Sequence, residues 1–99
     1  MTLVRKRKFR MLLLGVKHMN YEYQYKISSC PMCKQGYLEI VKEQETDILF
    51  IYCDECLVEW VNPEDALGNK NGSRFKYGKV IEPTYDEICS ANWQKYLLP

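Results

Sequence analysis

The sequence predicts a small α+β fold, an antiparallel sheet of short strands closed by a C-terminal helix. Three observations predict it. Two Cys-x-x-Cys pairs, Cys30/Cys33 and Cys53/Cys56, bracket a strand–turn–strand pattern with nineteen residues between Cys33 and Cys53. A run of alternating tyrosines, "YEYQYKI", precedes the first pair. The last eighteen residues open on a Thr-x-x-Glu box and continue with apolar residues at helical spacing.

At 99 residues the chain is expected to form one small domain, residues 21–99, behind a basic head, residues 1–20. Such a chain buries only a modest core, so a staple is expected, either disulfides or a structural metal. Hydrophobic residues make up 46% and charged residues 27%, which argues against disorder throughout. The net charge of +1 conceals an asymmetry. Residues 1–20 carry six Lys/Arg and no acid, while residues 21–99 carry eight Lys/Arg and thirteen Asp/Glu. An acidic body disfavours a broad nucleic-acid-binding face.

The head "MTLVRKRKFRMLLLGVKHMN" has a six-residue apolar run ended by Lys17-His18, shorter than a signal-peptide core and far too short to span a membrane. A basic arm, an extra edge element and a non-native extension all remain open for residues 1–18. The cytoplasm is the default location.

Taken in order, Tyr21, Tyr23, Tyr25 and Ile27 alternate with polar residues and predict a half-buried strand over 21–27. "SSCPMCKQGY" predicts a tight turn carrying two thiols, with Gly36 able to take φ > 0. "YLEIVK", residues 37–42, "ILFIYC", residues 48–53, and "LVEWV", residues 57–61, predict three further strands. "NPEDALG" predicts one helical turn capped by Asn62, started by Pro63 and ended by Gly68. "NKNGSRFKYGK" predicts a loop or hairpin turning at Asn71-Gly72. From Thr84 onward a terminal helix is expected, capped by Thr84 and Glu87, with Tyr85, Ile88, Cys89, Trp93, Tyr96 and Leu97 on one face.

Three chemistries compete for Cys30, Cys33, Cys53 and Cys56. The spacing C-x₂-C-x₁₉-C-x₂-C falls within the range of tetrahedral Zn²⁺ sites. Two residues between ligands let a tight turn aim both sulfurs at one ion, and an out-and-back hairpin brings the second pair alongside. Disulfides find no support in a secretory signal, and vicinal pairs are poor long-range staples. Thioredoxin-like redox chemistry would place one pair at a helix N-terminus rather than two on a hairpin. Iron in a four-thiolate site is the minor metal alternative.

On these residues the chain resembles the zinc-ribbon class. The resemblance implies a three-stranded antiparallel sheet with two cysteine knuckles, here with an added N-terminal strand and C-terminal helix. It covers residues 30 to about 61. It speaks for metal and fold, not for function. "CPMC", "CDEC", Trp60 and "PED" also resemble small bacterial zinc-ribbon proteins, some of them immunity-like proteins that neutralise a toxin.

Four thiolates fill a tetrahedron and leave no open position for water or substrate, so the metal is expected to be structural and the protein no enzyme. His18, the only histidine, reads as a surface residue. Cys89 reads as a buried packing thiol, and Asp54-Glu55 as solvated residues at a knuckle tip. Glu64-Asp65 read as helix N-terminal acids, and Trp60 and Trp93 as core. The tyrosine row reads as sheet face before it reads as a base-stacking platform. No nucleophile–base pair, phosphate loop or carboxylate dyad is present. Two functions follow. One is a protein-interaction module, of the immunity or antitoxin kind, that binds a basic partner. The other is a nucleic-acid-associated zinc ribbon gripping phosphates through "RKRKFR".

Overall fold

The computed structural model describes residues 23–99. The basic head, His18 and Tyr21 lie outside the described residues. Four strands form an antiparallel meander in the order β1 (Lys26–Ser29), β2 (Tyr37–Glu43), β3 (Leu49–Cys53) and β4 (Glu59–Trp60). A fifth, β5 (Val80–Ile81), pairs antiparallel with the far end of β2. Two short helices, α1 (Pro63–Leu67) and α2 (Tyr85–Ser90), and a 3₁₀ turn at Gln94–Tyr96 complete an α+β architecture.

Alternation along the central strands sends side chains to opposite faces of the sheet, and both faces are covered. Leu38, Ile40, Ile51 and Trp60 join Ile88 of α2 and Ala66 of α1 in the main core. Val41, Phe50, Tyr52 and Val80 form a second core on the other face. That face is roofed by the chain between α1 and α2, where Tyr77 stacks on Phe50 at 4.0 Å between ring centres. Two carboxylates on this face are fully buried, Glu39 and Glu59. Lys26 Nζ meets Glu39 Oε2 at 2.7 Å, and the backbone amide of Lys76 donates to Glu59 Oε1 at 2.9 Å.

The helix termini follow local chemistry. Asn62 Oδ1 accepts from the Asp65 amide at 2.8 Å and Pro63 opens α1. Thr84 and Glu87 exchange both bonds of the expected capping box. Both helices end in the same way, with an asparagine in the left-handed region. Asn69 has φ 54° and Asn92 has φ 64°. The Asn92 amide donates to Cys89 O at 2.9 Å and the Trp93 amide to Ile88 O at 3.0 Å. Gly68 therefore closes α1 with an ordinary φ of −89°, and Asn69 makes the reversal.

That reversal corrects the expected terminal helix. It stops at Ser90, because Asn92 turns the chain and Trp93 folds back beside Ile88 in the main core. Cys89 is then exposed rather than packed. The first strand also moves, from 21–27 to Lys26–Ser29. A bend at Gln24 splits the tyrosines, so that Tyr23 packs on the second core and Tyr25 on the main one. No stacking row remains among the described tyrosines of that stretch. The strand over 57–61 shrinks to two residues because Leu57 takes φ 63°.

Candidate metal centre

The meander places the β1–β2 and β3–β4 connections at one end of the sheet, and each carries one Cys-x-x-Cys pair. The two connections share a backbone design. In the first, the Cys30 amide donates to Gly36 O at 2.8 Å and the Lys34 amide to Cys30 O at 3.0 Å. In the second, the Cys53 amide donates to Val58 O at 3.0 Å and the Leu57 amide to Cys53 O at 3.1 Å. The residue four after each leading cysteine is left-handed, Lys34 at φ 60° and Leu57 at φ 63°. Such a conformation costs an ordinary side chain about 1 kcal/mol or more, so its repetition marks a geometry that the rest of the turn enforces.

The four sulfurs converge. All lie within 4.8 Å of one another, with Cys30–Cys56 at 3.8 Å and Cys33–Cys53 at 3.6 Å across the two turns. An ion bound tetrahedrally by thiolates at about 2.3 Å sets its sulfurs about 3.8 Å apart. A disulfide would require about 2.05 Å. The separations fit the first and exclude the second, and all four thiols are free. The cluster could hold one metal ion, and among the described residues no other group of metal-ligating side chains converges in this way.

Backbone amides point at the sulfurs. Met32 N–H lies 3.3 Å from Cys30 Sγ, and Glu55 and Cys56 N–H lie 3.3 and 3.4 Å from Cys53 Sγ. Such bonds favour a thiolate and fix its direction. Burial pushes against ionisation at Cys33, but the amides of Gln35 and Gly36, with the Cys53 and Cys56 thiols, outweigh it and bring the group down to about 7. Burial dominates at Cys53 and Cys56 and holds both above the ordinary thiol range. Thiols gathered around one point ionise together only when a cation compensates their charge.

Gly36 is required for close approach rather than for positive φ. A Cβ there would lie 2.8 Å from Cys53 Sγ and 2.5 Å from Asp54 Oδ1. Asp54, expected to be solvated, instead accepts from the Tyr37 amide at 3.0 Å and ties the second turn to the start of β2. Glu55 is the exposed tip residue. Cys30 and Cys53 are buried and belong to the main core, with Cys33 and Cys56 packed against it. Glu64 of α1 accepts from the Tyr96 hydroxyl and so holds the C-terminal segment.

Sequence reasoning missed Glu39 and Glu59, since each stands where alternation alone would put it in solvent. Among the described residues no helix is long and apolar enough to cross a membrane. No family model, no curated protein and no solved structure matches this chain. Its relation to other proteins therefore rests on the cluster itself, four cysteines within metal-binding distance in a small sheet domain, compatible with a zinc-binding module.

Proposed function

We propose that the protein is a non-catalytic interaction module of the zinc-ribbon kind, its fold stapled by one structural Zn²⁺ on Cys30, Cys33, Cys53 and Cys56. The carrying observation is the closure of the cluster: four sulfurs within 4.8 Å of one another, two of them inside the main core. A metal with four thiolate ligands keeps no position for substrate. Sulfur donors favour Zn²⁺ over hard cations, and a structural ion in a domain this small contributes free energy comparable to the whole fold. Binding is then the work left to the surface. Residues 23–99 carry twelve Asp/Glu against eight Lys/Arg. One Zn²⁺ with four thiolates adds a further two negative charges. A basic partner suits that surface and would associate faster for it. An immunity-like role, covering the basic cleft of a nuclease, is one form of this reading.

The second reading, a nucleic-acid accessory, rests on the six Lys/Arg of residues 1–20. Affinity purification of the full-length zinc-loaded chain from native cells, with and without nuclease, separates the two. A protein retained after nuclease treatment, and lost with a Cys53→Ser variant, supports the interaction module. Nuclease-sensitive recovery through the basic head supports the alternative. A turnover-competent metal, with a water ligand exchangeable for a small anion in the Co²⁺-substituted protein, would overturn both.

A further inference from the structure

The acid excess is not spread evenly. The sixteen residues from Ala66 to Ile81 hold Lys70, Arg74, Lys76 and Lys79 and no acid. The other described residues carry four Lys/Arg against twelve Asp/Glu. This basic stretch faces the first cysteine turn across a cleft of about 330 Å³ lined by Met32, Val58, Asn69, Gly72, Ser73 and Arg74. Gly72 packs directly against Val58 and Trp60, since a Cβ there would meet Val58 Cγ1 at 2.8 Å and the Trp60 indole nitrogen at 3.1 Å.

Phe75, which follows the cleft residue Arg74 in the chain, is 81% exposed and left-handed at φ 62°. Met32, at the tip of the first turn, is 49% exposed. The segment that presents Phe75 is tied down on both sides. Ser73 and Glu59 exchange backbone bonds of 2.7 and 2.9 Å, and the Lys76 amide donates to buried Glu59. Arg74 Nε donates to Cys56 O at 3.1 Å, linking the segment to the second cysteine turn. An aromatic ring held out by fixed backbone loses little freedom on binding.

We propose that the first cysteine turn and the 69–76 segment form a docking site for an acidic peptide segment of a protein partner. An apolar side chain of that segment fills the cleft between Met32 and Val58, Phe75 covers it, and the carboxylates meet Arg74 and Lys76. This rests on the interaction-module reading and adds a face of opposite charge to the acid-rich remainder. Phe, Met and Arg are residues on which interface energy concentrates. A single-stranded nucleic acid fits less well. Phe75 is the one exposed ring of the 69–79 segment, and Met32 and Val58 offer no plane on which successive bases stack.

Selection of a random dodecapeptide display library on the full-length zinc-loaded chain tests the site, followed by fluorescence polarisation with the enriched peptide. Enrichment of peptides that combine Asp/Glu with an apolar residue is expected. Phe75→Ala and Met32→Ser each weaken binding by about tenfold or more. Lys76→Glu weakens it and flattens its salt dependence. Zinc content and the melting curve of each variant report its fold, and Phe75, lying outside both cores, leaves them unchanged. Enriched basic peptides indifferent to all three substitutions would overturn this site and leave the interaction module standing. No enrichment at all would overturn this site too, whereas the interaction module falls only if no nuclease-resistant partner is recovered from native cells. Binding of a fluorescein-labelled oligothymidylate strand through Phe75 would replace the peptide with a nucleic acid.

Discussion

Replacing Gly36 with alanine is the sharpest perturbation of the cysteine cluster that leaves every thiol in place. The added Cβ would sit 2.8 Å from Cys53 Sγ and 2.8 Å from Glu55 Cβ, with Asp54 Oδ1 at 2.5 Å. An ordinary carbon–sulfur contact is nearer 3.6 Å, so the two turns must separate by most of an ångström at contact distances. Metal–ligand distances tolerate about 0.2 Å. The turns can part only by loosening Cys53 or by losing the amide bonds that orient it, and disturbing such supporting contacts costs about 10–100-fold in metal affinity. At about 1.4 kcal/mol per decade this is about 1.4–2.8 kcal/mol. The assay is competition for Zn²⁺ against a chromophoric chelator, run on the full-length chain and on Gly36→Ala. Affinity unchanged within twofold would refute the close-approach reasoning. So would a loss of thermal stability in the loaded protein with zinc affinity intact.

Other consequences are as direct. Binding must strip protons from Cys53 and Cys56, both held above the ordinary thiol range, and in part from Cys33 at about 7. Calorimetry in buffers of different ionisation enthalpy should therefore count at least about two protons released per Zn²⁺ at neutral pH, with affinity rising as pH rises; fewer than one contradicts the assignment. Asn92→Ala should cost about 1 kcal/mol in thermal or denaturant unfolding of the loaded protein, while Asn92→Gly should be neutral or stabilising. Lys26→Met removes the 2.7 Å ion pair from Lys26 Nζ to the Glu39 carboxylate, which is fully buried. Because Lys26 keeps 25% exposure, the cost should be on the order of 2 kcal/mol, below the ~3–5 kcal/mol of a fully buried pair. Adding Glu39→Gln should recover part of it in a double-mutant cycle.

Features written in neighbouring residues were legible in the sequence. The spacing of Cys30, Cys33, Cys53 and Cys56 implied a convergence that the sulfurs make. Asn62-Pro63 and Thr84…Glu87 marked helix starts because their side chains bond amides three residues on. The strands at 37–42 and 48–53 were found within one residue at each end.

What escaped depends on distant partners. Tyr23 and Tyr25 part to opposite faces because β5 and α2 offer each a different core. The two-residue strand β5 has no periodicity to read. Glu59 looks like a solvent position until the segment carrying Lys76 and Tyr77 covers it, and Glu39 until Lys26 pairs with it. Asn69 and Asn92 are the exception. An asparagine after the last helical residue is a stop signal, and at Asn92 the apolar spacing that ran on through Trp93 and Tyr96 outweighed it.

The central claim is that one metal ion on four cysteines holds this fold together. A zinc titration of the metal-stripped full-length chain, followed by ¹H–¹⁵N correlation spectra, tests it most directly. The account predicts a collapsed amide spectrum without zinc, and dispersed resonances that grow in slow exchange and saturate at one equivalent. Resonances of β2 and β3 already dispersed before zinc is added, or no saturation at one equivalent, would contradict it.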